Sequence, residues 1–165
     1  MTTFKRSILL TVCMLVTVMS SMAMPQPSID PDLREAINKG DISYITDWLN
    51  NGGDINAVTI NGNSALFLAS RIGDRPMMKF LLANNPDLNL RNKAGATALM
   101  VAAKYGHEHT VDMLLEQGAD PTIRNNHGVS AARFALAYEH RELSQKLQNA
   151  MMQHYRTEKT VAPNS

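Results

Sequence analysis

The chain has 165 residues, 44% hydrophobic and 19% charged, which fits one folded, soluble domain. Its 16 basic residues stand against 15 acidic ones, so it carries no overall basic field of the kind that draws nucleic acid. Cys13 is the only cysteine and lies in the N-terminal segment, which removes disulfides, thiolate metal sites and cysteine nucleophiles from the rest of the chain.

The first 24 residues read MTTFKRSILLTVCMLVTVMSSMAM, with Lys5 and Arg6 ahead of an uncharged run from Ser7 to Met19. That run of 13 residues is within the ~7 to 15 of a signal-peptide core and short of the ~20 that a spanning helix needs. Ser21 and Ala23 fit the small-residue pattern of a cleavage site, so a signal peptide over 1–23, cut after Ala23, is expected. Loss of Lys5 and Arg6 leaves 14 basic against 15 acidic residues, a near-neutral mature chain. It has no cysteine and no Asn-x-Ser/Thr sequon, which suits a bacterial periplasm, or secretion, better than an endoplasmic reticulum.

After a linker at 24–31, the sequence repeats with a period of 33. Gly40, Gly73 and Gly106 hold that step, as do Leu49, Leu82 and Leu115, and Asp54, Asp87 and Asp120. Gly62, Gly95 and Gly128 form a fourth column, and Ser64, Thr97 and Ser130 a fifth. In chain order the segments are DLREAINKGDISYITDWLNNGGDIN (32–56), GNSALFLASRIGDRPMMKFLLANNPDLNLRN (62–92), GATALMVAAKYGHEHTVDMLLEQGADPTIRN (95–125) and GVSAARFALAYEHRELSQKLQNAM (128–151).

The chemistry of one period is clearest in the third segment. Gly95 supplies a tight turn, and Thr97 is placed to cap the helix that follows. That helix is predicted over 98–105, with Leu99, Ala102 and Ala103 on one face and Gly106 ending it. A second helix, predicted over 107–117, buries Val111, Leu114 and Leu115 and stops at Gly118. Met77, Met78 and Met113 read as core filler. In the last segment Leu143, Leu147 and Met151 make one apolar stripe among polar residues, and 154–165 is expected to be a flexible tail.

These segments resemble the ankyrin repeat. The resemblance implies an all-α fold, an ankyrin-repeat solenoid of stacked helix-turn-helix units. About four repeats span 32–153, with 32–56 and 128–151 as the capping repeats. The family's Thr-Pro-Leu-His tetrapeptide appears as Ser64-Ala65-Leu66-Phe67, Thr97-Ala98-Leu99-Met100 and Ser130-Ala131-Ala132-Arg133. Proline is missing at the first helical position, and Glu139 stands where the inter-helix glycine should be.

No catalytic constellation is legible, and neither enzyme activity nor a cofactor or metal is expected. His107 and His109 point to different faces of a helix, and HEHT is not the zinc pattern H-E-x-x-H. His107 occupies the Gly-His position of the repeat, which implies a structural role, while His127, His140 and His154 read as solvated. Asp54, Asp87 and Asp120 recur by repeat position in the turn after the second helix and are not a hydrolase pair. Phosphate-binding loops, nucleophile elbows and dinucleotide fingerprints are absent from the sequence.

The resemblance places a partner on the turn tips and on the exposed ends of the first helices, which line a concave groove. The tips are Ile60, Asn61 and Asn63, then Lys93, Ala94 and Ala96, then Asn126, His127 and Val129. The inner helices add Arg71 and Ile72, Lys104 and Tyr105, Ala137 and Tyr138. This set mixes apolar and basic residues and holds no acid, so an acidic and apolar protein surface is the expected partner and the chain is expected to be a monomer. Exported single-domain ankyrin proteins of bacteria are similar to immunity proteins that neutralise toxic effectors and to accessory proteins of oxidative-stress defence. The alternatives are an envelope scaffold tethered by an uncleaved signal, and a secreted effector.

Overall fold

The structure, a computed structural model, describes residues 31–161. The expected signal peptide lies outside the described residues, as do the linker up to residue 30 and the tail from 162. Among the described residues eight helices follow one another: α1 (Pro31–Lys39), α2 (Ile42–Asn50), α3 (Ala65–Ile72), α4 (Arg75–Ala83), α5 (Ala98–Tyr105), α6 (Glu108–Glu116), α7 (Ala131–Ala137) and α8 (Arg141–Val161). No strand occurs among the described residues. Two isolated bridges, Val58 with Ser64 and Arg124 with Ser130, close the bases of the first and third turn tips.

The helices form two layers. α1, α3, α5 and α7 stack on one another in sequence, and each also packs against the helix that follows it. Small residues make the inner layer close-packed. Ala65 to Ser70 of α3 and Ala98 to Ala103 of α5 are buried throughout, which leaves only their C-terminal ends to solvent. The outer helices bury one face each, through Ile45 of α2, Met77, Met78, Leu81 and Leu82 of α4, and Val111 and Leu114 of α6. Leu115 and Met113, expected in the core, are only partly buried and pack against its edge. A fully buried leucine contributes about 2 to 3 kcal/mol through removal of apolar surface from water. No single pair of helices here has enough such residues to stand alone, so stability rests on stacking between repeats.

Caps fix where the helices start. Ser64 accepts from the Phe67 amide at 3.2 Å, Thr97 from Met100 at 3.4 Å, Asp41 from Tyr44 and Asp74 from Met77, both at 3.0 Å. Ser130 is in the same column but its side chain makes no cap bond to α7. Between the helices of each pair one residue is left-handed: Gly40, Gly73 and Gly106 at φ 73°, 79° and 72°, and Glu139 at 67°. Glu139 adopts the conformation its position demands without being a glycine.

The residue after each of the last three of these turns rests on the repeat before it. A Cβ placed on Gly40 would meet Asp74 Oδ2 at 2.9 Å, on Gly73 the His107 ring at 2.6 Å, and on Gly106 the His140 ring at 2.5 Å. His107 Nε2 also lies 3.0 Å from the Arg71 carbonyl oxygen, so this histidine joins two repeats, as its position implied. His140, expected to be solvated, is half-buried against Gly106.

α8 closes the stack. Leu143 and Leu147 are buried, and buried Ser144 donates from Oγ to the Ala132 carbonyl at 2.9 Å. Its outer face is Glu142, Gln145, Lys146, Gln148 and Asn149, all exposed. The helix runs to Val161, so residues 154–161, expected in the flexible tail, are helical. After Glu139 the sequence holds neither glycine nor proline until Pro163, so nothing in it breaks the helix before that point. His154, expected to be solvated, lies 3.8 Å from Asp120 Oδ1.

Candidate functional site

Three turn tips, at 58–64, 91–97 and 124–130, project from the same end of successive repeats. Their internal bonding is the same three times. The amides of Thr59, Asn92 and Asn125 donate across the tip to the carbonyls of Asn63, Ala96 and Val129 at 2.9 to 3.0 Å. The amides of Gly62, Gly95 and Gly128 close each turn on Thr59, Asn92 and Asn125. Asn92 Oδ1 accepts from the amides of Ala94 and Ala96, and Asn125 Oδ1 from those of His127 and Val129, which fixes the loop shape from inside.

Neighbouring tips are joined edge to edge. The Lys93 amide donates to the Asn61 carbonyl at 3.0 Å, and the Asn126 amide to the Ala94 carbonyl at 3.1 Å. Arg91 spans two tips: Nε donates to the Gly95 carbonyl, and Nη2 to the Arg124 carbonyl at 3.1 Å and Asn126 Oδ1 at 3.3 Å. Asn92 Nδ2 reaches Asn63 Oδ1 at 2.9 Å, and Asn126 Nδ2 reaches the Lys93 carbonyl at 3.0 Å. Nearer the helices, Asp87 and Asp120 donate from their amides to Asn56 Oδ1 and Asn89 Oδ1 at 2.8 and 2.9 Å. Asp54, Asp87 and Asp120 each accept through Oδ1 from the amide two residues on, the turn role expected of them.

This bonding sorts the expected site residues. Ile60 is 82% exposed and Asn61, Lys93 and His127 are exposed as well, so these side chains are open to a partner. Asn63 and Asn126 are engaged between tips, Asn126 through both ends of its amide. Ala96 is half-buried against the core and Val129 is half-buried, so both belong more to the base of a tip than to its surface.

The ends of the inner helices give a more coherent patch. Lys104 Nζ stands 5.0 Å from the Tyr138 ring centroid and 5.6 Å from that of Tyr105, a cation between two aromatic faces. Tyr105 in turn lies nearly parallel to the His107 ring, with centroids 6.1 Å apart. Tyr105 and Tyr138 are about half exposed at 49% and 48%, and Ile72 is 38% exposed. The three ion pairs among the described residues involve none of Arg71, Lys93 or Lys104, so their charges are available.

Sequence reasoning missed Arg91, Asn92 and Asn125, which hold the tips in place. The signal was present, since Arg91 with Arg124, and Asn92 with Asn125, are two further columns at the spacing of 33. Away from the patch, a cleft of about 970 Å³ runs between α6 and α8, with Leu115, Ala119 and Pro121 at its floor and Asp112 bridged to Lys146 at 2.7 Å across it. That hydrogen bond, with the carboxylate charge, holds the Lys146 ammonium above its ordinary pKa. None of the expected site residues lines the cleft.

No helix among the described residues is long and apolar enough to cross a membrane. No match is found among curated proteins. The family described as Ankyrin repeats (3 copies) matches residues 33–125, which include α1 from Leu33 on, α2 to α6 and the first two tips. Arrays of this kind are in general protein-binding modules rather than enzymes. With more than half of its length matched, and with the stacked helix pairs and joined turn tips that such repeats require, the chain belongs to the ankyrin-repeat family.

Proposed function

We propose that the chain is an exported, periplasmic interaction module that binds one protein partner through the patch at the ends of α3, α5 and α7 and the adjoining tips. It acts on that partner as an inhibitor or protector, in the manner of an immunity protein or a stress-defence accessory protein. The observation that carries this reading is Lys104 held between Tyr105 and Tyr138, beside Ile72 and unpaired Arg71. Half-exposed tyrosines around a cation are the residue types that anchor interfaces, and the absence of a carboxylate partner favours an acidic and apolar surface opposite. The leader MTTFKRSILLTVCMLVTVMSSMAM supports export and an Ala23 cleavage site.

The test is affinity capture from native periplasmic extract with the chain from Met24 and with a Lys104→Glu/Tyr105→Ala variant, both first shown to unfold at the same temperature. The expected result is one partner retained by the parent and lost from the variant. Recovery of the same proteins by both would place the binding surface elsewhere.

A further inference from the structure

The edge-to-edge bonding of the tips is a ladder with a free end. Each later tip reaches back to the one before: position 93 to the carbonyl at 61, position 126 to the carbonyl at 94. One period further on, the carbonyl of His127 is the equivalent acceptor, and among the described residues no amide fills it. The Asn126 carbonyl is open in the same way, standing where the Lys93 carbonyl accepts Asn126 Nδ2. Arg124 repeats the first half of what Arg91 does, donating from Nη1 to the Gly128 carbonyl at 3.1 Å. Arg91 makes that bond through Nε and spends Nη2 on the next tip, whereas the remaining guanidinium nitrogens of exposed Arg124 make no hydrogen bond or ion pair among the described residues.

The glycines record the same end independently. A Cβ on Gly62 would come within 3.0 Å of the Lys93 amide nitrogen, and one on Gly95 would meet Arg91 Nη2 at 2.7 Å and the Asn126 amide at 2.8 Å. A Cβ on Gly128 would meet nothing within 4 Å. After α7 the chain continues into the long helix α8, so among the described residues no fourth tip covers this face.

We propose that the free edge at Arg124, Asn126, His127 and Gly128 is a second docking point, which takes a tight-turn loop of the partner protein presenting asparagine or aspartate at its tip. The inference rests on the reading of the chain as a protein-binding array. The loop's backbone amide donates to the His127 carbonyl, and its side-chain oxygen accepts from the free Arg124 nitrogen, as Asn126 does from Arg91. An anionic or strongly accepting tip is favoured because Arg124 has no carboxylate partner. A second copy fits less well. Its first tip carries Ile60 at the position of Asn126 and has no oxygen to offer Arg124.

The probe is a cyclised peptide of sequence IRNNHGVS, a copy of residues 123–130, titrated into the isotopically labelled full chain and followed by amide NMR. Saturable shifts at the amides of His127 and Gly128, without shifts at Gly62, are expected. Replacing the peptide's second asparagine by leucine, or Arg124→Ala in the protein, is expected to weaken binding about tenfold, one charge-assisted hydrogen bond. The peptide variant leaves the protein untouched, so it decides the matter even if Arg124→Ala loosens the tip. Unchanged binding by the leucine peptide, or no saturable shift, overturns the proposal. Lys104→Glu/Tyr105→Ala is expected to bind the peptide as the parent does; loss there would overturn the edge site. Concentration-dependent self-association in sedimentation that Arg124→Ala abolishes would overturn it in favour of a second copy. Failure of the periplasmic capture, with the peptide shifts intact, would count against the groove reading alone.

Discussion

Gly95→Ala and Gly128→Ala form a matched pair that measures what contact between tips contributes to stability. The two glycines are one period apart and have the same left-handed backbone, φ 75° and 71°. Alanine in that conformation costs about 1 to 2 kcal/mol at either site. At Gly128 nothing is added to this, because the new methyl group projects into open space. At Gly95 the methyl group lands on Asn126 Oδ1 and close to Arg91 Nη2, so the Arg91 to Asn126 bond must break or the tips must part. Overpacking of this kind costs about 1 to 3 kcal/mol more. Gly95→Ala is thus expected to lose about 2 to 5 kcal/mol and Gly128→Ala about 1 to 2 kcal/mol. Urea unfolding followed by far-ultraviolet circular dichroism gives both values, and fluorescence of Trp48, the only tryptophan, shows whether the first repeat unfolds with the rest. Losses equal to within about 0.5 kcal/mol, the usual error of such comparisons, would refute the claim that the tips support one another.

Two further substitutions should stabilise the chain. Glu139→Gly removes a side chain from a left-handed position and is expected to gain about 1 kcal/mol, seen as a rise of about 3 to 5 °C in Tm; an unchanged or lower Tm would show that the glutamate is not strained there. Thr110 Oγ1 is buried without a hydrogen-bond partner, so Thr110→Val, of the same shape, should gain about 1 kcal/mol, whereas Thr110→Ser keeps the orphan hydroxyl and should lose stability. If the valine variant unfolds more easily than the parent, the hydroxyl has a partner in solution.

The columns at a spacing of 33 made the fold legible because ankyrin stacking requires the same residue type wherever the backbone geometry repeats. Gly106 and Thr97 could be placed from sequence for that reason, and both occupy the positions expected. The site was legible only to the level of which segments face a partner. Whether Asn126 is offered to a ligand or spent on Lys93 and Arg91 depends on distances between residues 33 and 35 apart, which no local pattern encodes. Ala96 misleads for a related reason, since a small residue beside a glycine reads as a tip but its methyl group turns toward the core. The end of α8 was missed because Met151 is the last residue of its apolar stripe to pack on the core, and periodicity is blind to a helix that continues on mostly polar, exposed residues.

The backbone bonds between tips all run one way. The donors are the amides of Asp87, Lys93, Asp120 and Asn126, and each acceptor lies earlier in the chain. Every one of these bonds joins neighbouring repeats, so a chain emerging from its N-terminus can zip up one repeat at a time, each bond closing when its later partner is made, those of Arg91 to Arg124 and Asn126 included.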